Sequence, residues 1–139
     1  MSSRRALSRC LVVGLLALGV PVGCGEDPEP PSTLVAPSKC SVELSPSTEP
    51  LMANGQDTLV VTVTLRNEDA TPLSGRAVNV QVGSGEGFTL LQEKSLTDNQ
   101  GRNRVEVRAT TPGTKTLSVS ANELNGVRVY LSEVTIEFR

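Results

Sequence analysis

This chain has no histidine, so the residues that can do chemistry are few, and cysteine leads them. General acid–base catalysis uses His most often, and the Ser–His pair that makes a serine nucleophilic needs one. A Ser–Lys pair stays open to Lys39, Lys94 and Lys115, but none of them sits in a recognisable motif. Gly83-Ser84-Gly85-Glu86-Gly87 lacks the Lys-Ser/Thr ending of a phosphate-binding loop and reads as a connection between strands. Carboxylates are scattered throughout, which leaves paired-carboxylate glycoside chemistry open. A domain of this size offers no obvious deep cleft. The expectation is a protein that is not an enzyme, with no catalytic residue, no cofactor site and no metal site.

The three cysteines are Cys10, Cys24 and Cys40. Cys24 has the most telling surroundings. Arg4, Arg5 and Arg9 precede an apolar run, Leu11 to Val20, which stops at Pro21-Val22-Gly23. A charged segment, a short apolar segment and a small residue make a secretory signal peptide over residues 1–23. A run this short cannot span a hydrocarbon core about 30 Å thick, which needs roughly 20 residues. Val20-Pro21-Val22-Gly23-Cys24 resembles a bacterial lipobox, with Pro21 where Leu is usual. The resemblance implies that Cys24 becomes the mature N-terminus and carries thioether-linked diacylglycerol. Two or three acyl chains, at about 0.8 kcal/mol per buried CH₂, anchor a protein stably. Gly25 at the next position resembles a signal for the outer membrane. Ordinary cleavage and secretion is the alternative.

Removing residues 1–23 takes three arginines and no acid, so 13 basic residues fall to 10 against 15 acidic ones, a net charge of −5. A mildly acidic chain without a basic patch is a poor nucleic-acid binder. With Cys10 removed and Cys24 acylated, Cys40 has no intrachain partner. It then reads as a half-buried small residue at the start of the first strand; the alternatives are an intermolecular disulfide and, if cleavage is ordinary and upstream of Cys24, a Cys24–Cys40 bond.

The elements that must position these residues follow from pattern. Residues 24–39 form the lipidated cysteine and a Pro-rich linker, in which Pro28, Pro30, Pro31 and Pro37 deny a helix or a ladder. A polyproline-like path at about 3.1 Å per residue would carry the stretch Gly25 to Ser38 roughly 40 Å. From residue 40 period-2 alternation predicts strands at 41–44, 57–65, 76–82, 88–91, 104–108, 115–121, 127–131 and 133–138. Leu59, Val61, Val63 and Leu65 face inward in the clearest of them, as do Val78, Val80 and Val82, and Val134, Ile136 and Phe138. Asn, Gly and Pro separate the runs about every ten residues, which indicates an all-β sandwich or barrel.

Four motifs in order carry a family resemblance. Ala53-Asn54-Gly55-Gln56-Asp57 leads into Leu59-Val60-Val61-Thr62-Val63-Thr64-Leu65. Pro72-Leu73-Ser74-Gly75-Arg76-Ala77-Val78 follows. Then come Thr97-Asp98-Asn99-Gln100-Gly101-Arg102-Asn103, with Asn103 where Ala is common, and Pro112-Gly113 through Ala121. Over residues 41–138 they resemble the bacterial Ig-like domain, group 1, of invasin and intimin stalks. The resemblance implies a single Ig-like antiparallel β-sandwich with Greek-key connections, filling residues 40–139.

It also implies a structural or protein-interaction role of adhesion type, without catalysis. The expected partners are a membrane, through the N-terminal lipid, and another protein, through the sheet edges. No nucleic acid and no small-molecule substrate is expected. The expected address is the outer membrane, at the cell surface or the periplasmic face. A carbohydrate- or metal-binding extracytoplasmic lipoprotein is the alternative. Under it Tyr130 would stack on sugar, and Asp57, Asp98 and Asn99 would supply calcium ligands. A calcium site wants six or more oxygens, and these three residues lie in different loops.

Overall fold

The computed structural model describes residues 32–46, 50–83 and 86–139. The seven strands are β1 (Ser41–Ser45), β2 (Leu59–Thr64), β3 (Val78–Val82), β4 (Phe88–Gln92), β5 (Arg102–Ala109), β6 (Gly113–Asn122) and β7 (Arg128–Phe138). They form two antiparallel sheets, of order β1-β2-β5-β4 and β3-β6-β7. That division and order is the Greek-key arrangement of the seven-stranded immunoglobulin sandwich. The all-β, Ig-like expectation therefore holds.

The alternation read from sequence is what closes the sandwich. Leu59, Val61, Val63 and Leu65 are buried, and so are Val105 and Val107 beside them on β5. Leu117 and Val119 on β6 and Ile136 and Phe138 on β7 meet them from the other sheet. Each such side chain, fully buried, contributes about 1.5–3 kcal/mol. A core of Val and Leu with one large aromatic, Phe138, needs no disulfide.

Three expectations need correction. Residues 127–131 and 133–138 are one strand, β7, not two. Its register against β6 shifts between Val119 and Ser120, which pair with Ser132 and Tyr130, so Leu131 is an extra residue. This bulge flips the inward parity from Val129 and Leu131 to Val134, Ile136 and Phe138, and the flip mimics a strand break. β3 starts at Val78 rather than residue 76, because Arg76 and Ala77 turn to pair with Leu96 and Thr97.

The third correction concerns the linker. Residues 32–39 are packed on the domain. Pro37–Lys39 form a 3-10 turn, with proline at its first position, where no N–H is needed. Val35 and Ala36 are buried. Burial of Val35 and Ala36 outweighs the prolines around them, while Leu34 stays exposed.

The strand directions give the sandwich two poles. The packed segment, the ends of β2 and β6 and the starts of β3 and β7 lie at one. The ends of β1, β5 and β7, with Phe138, lie at the other. The 3-10 turn rests against β7, and Leu51 pairs with Phe138 beside the strand's far end.

Candidate functional site

Cys24, the one site residue expected from sequence, lies outside the described residues. Cys40 is a free thiol, half-buried, with no disulfide partner among the described residues. Its Sγ lies between Arg66 N at 3.4 Å and Arg66 O at 3.6 Å. Burial pushes this thiol up from its ordinary value of 9.0, so it stays protonated and unreactive at neutral pH.

The calcium candidates do not come together. Asp57 precedes β2 and Asp98 precedes β5; β2 and β5 run antiparallel, so the two residues stand at opposite poles. Each carboxylate serves its own turn. Asp57 accepts from Met52 N–H and from the Asn54 amide, both at 3.0 Å. Asp98 accepts from Gln100 N–H at 2.8 Å and Arg102 N–H at 2.9 Å. These bonds hold both carboxyls below their ordinary value of 3.8. Among the described residues no three His, Cys, Asp or Glu side chains gather to hold a metal ion. Tyr130 is exposed on β7, with no other aromatic near it in sequence.

What the fold does build is a surface on the outer face of the four-stranded sheet. Strand parity sends Val60 and Thr62 of β2, Arg102, Arg104, Glu106 and Arg108 of β5, and Leu91 of β4 to this face. Val60 and Leu91 both pair with the β5 segment around Glu106 and flank it, so apolar side chains line a depression of about 300 Å³, with Glu93 and Arg104 beside it. A second depression of about 240 Å³ shares Glu93 and Arg104 with the first and continues toward Lys94, Asp98 and Arg102. Arg108 is held by Glu106 at 3.1 Å and donates to Thr58 Oγ1 at 2.9 Å. The result is an open groove of mixed charge beside the apolar Val60 and Leu91. Such a surface suits another protein chain better than an enclosed small molecule or a polyanion.

Three of the four sheet edges expected as contact surfaces are short, and the fourth, β7, has eleven residues. β1, β3 and β4 have five residues each. Beside β3, Gln92 Nε2 crosses from β4 to the Val78 carbonyl at 3.1 Å. Sequence reasoning missed the groove, because outward polar residues on a strand look alike whether or not they line one.

It also missed a row of polar groups at inward positions. Asn103, Lys115 and Arg76 are buried, at the same parity as Val105, Leu117 and Val78. Asn103 donates to the Lys94 carbonyl at 2.9 Å, and Lys115 Nζ reaches the Glu86 carbonyl and Thr111 Oγ1, both at 3.3 Å. That shared parity is the signal that could have found them.

The profile of the bacterial Ig-like domain (group 1) matches residues 41–138. Among solved structures, the chain is similar to the adhesin InvE of Yersinia pseudotuberculosis, with 25% identity and a TM-score of 0.58. That match covers 75% of this chain and 27% of InvE. Invasin, a bacterial integrin-binding protein, is 21% identical with a TM-score of 0.57, over 75% of this chain and 19% of invasin. Domains 4 and 5 of the S-layer protein SbsC give 20% identity and a TM-score of 0.51, over 76% of this chain and 52% of theirs. At those identities invasin and SbsC speak for the fold alone. The chain spans about a quarter of the length of InvE and about a fifth of that of invasin. No curated protein sequence matches it.

Proposed function

Because the chain belongs to the bacterial Ig-like domain (group 1) family, we propose that it is a lipid-anchored Ig-like module, exported to the outer membrane, with a structural or protein-interaction role of adhesion type and no catalysis. The observation that carries this reading is the family's sandwich over residues 41–138, matched by the adhesin InvE. The contact surface we assign is the outer face of the four-stranded sheet, bordered by the short edge strands β1 and β4. Its mixed charges and the apolar Val60 and Leu91 supply the polar and apolar contacts of a protein interface.

The signal-like residues before Cys24 support the anchor. The chain enters at one pole and Phe138 stands at the other, which supports an end-on presentation with the groove along the flank.

Fractionation of cells producing the full chain tests the anchor. The wild type should pellet with outer membranes, and Cys24→Ser should move to the soluble fraction. Cross-linking on intact cells tests the surface. Arg104→Glu together with Leu91→Asp should abolish cross-linked species without unfolding the domain. Retention of Cys24→Ser in the membrane would sink the lipid anchor, and unchanged cross-linking would sink the assigned face.

A further inference from the structure

Arg76 is a charge turned into the sandwich, 4% exposed. The β3–β6 ladder pairs Val78 with Ala121, and the Asn122 N–H continues it to the Ala77 carbonyl at 2.9 Å, so Glu123 is the next residue opposite Arg76. Both side chains are spent on the segment before β1. Arg76 Nη2 donates to the Thr33 carbonyl at 2.5 Å, and Glu123 Oε1 accepts from Val35 N–H at 2.7 Å. Asn67, also buried, donates from Nδ2 to the Ser32 carbonyl at 2.7 Å. The Arg66 carbonyl accepts from Ala36 N–H at 2.9 Å. All four bonds engage main-chain groups, and the Val35 side chain enters the core.

We propose that Asn67, Arg76 and Glu123 form an acceptor site for a peptide backbone, which the chain's own residues Ser32–Ala36 fill, fixing the direction in which the chain leaves the domain.

A buried charge is retained at a cost unless it is bonded. Here the strap bonds the buried Arg76 and the half-buried Glu123. Arg76 Nε and Nη1 and Glu123 Oε2 have no hydrogen-bond partner among the described residues, so the strap supplies the one hydrogen bond of each charged group. Recognition through main-chain groups, with one side-chain pocket, is one way peptides are held on folded domains. The tether is then shorter than sequence suggests. The inference goes beyond the proposed function, since it concerns the joint and not what the domain meets.

Hydrogen–deuterium exchange on the full chain tests it. The Val35 and Ala36 amides should exchange at least about 100-fold more slowly than in a free chain. Glu123→Ala and Arg76→Met should each speed exchange at Val35 by about ten-fold or more, while the Val61 and Val63 amides of β2 stay protected. If either variant also loses protection in β2, Asn67→Ser decides. Faster exchange at Val35 and Ala36 supports the site, and unchanged exchange overturns it. Free-chain rates at Val35 and Ala36 in the wild type, or Val35 protection unmoved by both substitutions, also overturn it.

Discussion

Asn103 accepts a hydrogen bond from Gln92 Nε2 at 3.1 Å, and the same Gln92 amide reaches the Val78 carbonyl of the facing sheet. One buried amide thus ties β5 to the end of β4, to the connection at Lys94 and, through Gln92, to β3. This position is commonly Ala in the family that the motifs resemble, and the difference has a structural use.

Asn103→Ala should therefore destabilise the domain although Ala is the smaller residue. It leaves the Lys94 carbonyl without its donor and frees one side of Gln92. A loss of about 1–3 kcal/mol is expected, read as a fall in denaturation midpoint at constant m-value.

The register of β2 predicts a sharp contrast between neighbours. Val63 is fully buried and Thr62 faces the outer side. Val63→Asp puts a carboxylate into the core and should cost several kcal/mol, enough to unfold a marginal domain. Thr62→Asp should shift the melting temperature by little. Equal shifts in a thermal melt would refute the register.

Two glycines with left-handed backbones should behave differently. Gly75 has φ +71 and open space around the position of a Cβ. Gly101 has φ +73, and a Cβ there meets the Leu65 carbonyl oxygen and lies 3.0 Å from Leu73 N. Gly75→Ala should cost about 1 kcal/mol of backbone strain alone. Gly101→Ala must also part the Leu65–Leu73 bridge, and should cost at least about twice as much by urea titration.

Acid should act through two turns. The Asp57 and Asp98 carboxyls are held below 3.8 in the folded chain by the donors on them. Their contribution is present in full above pH 3.8 and is lost as pH falls through their lower folded values. Denaturation midpoints should be flat from pH 7 to 5 on their account and decline below about pH 4. Asp98→Asn should flatten part of that decline. An unchanged acid profile in both Asp57→Asn and Asp98→Asn would rule the turns out.

Period-2 alternation made the sandwich legible, because burial on one face of a strand leaves a direct mark on sequence. The turn at Asp98–Gly101 was legible for the same kind of reason, since its residues satisfy their own backbone. Interactions that close between distant segments left weaker marks. Arg76 looks like a strand-end charge until Thr33 is placed beside it. The bulge at Leu131 looks like a break until β6 supplies the register. The groove at Val60, Leu91 and Arg104 draws on three strands, none of which shows it alone.

β7 is the longest strand and lies at the edge of its sheet. Its last residues are lapped by the segment at Leu51–Ala53. Arg139 N–H donates to the Leu51 carbonyl at 2.8 Å, and Ala53 N–H donates to the Arg139 carbonyl at 2.7 Å. The lap governs colloidal behaviour as well as stability. Copies crowded side by side meet a β7 edge whose last residues are already paired, and edge-to-edge growth loses that end of its template. Pulling Leu51–Ala53 away, by a proline at Ala53 for instance, would expose that end. The damage should then appear as concentration-dependent sedimentation before it appears as a lower melting temperature.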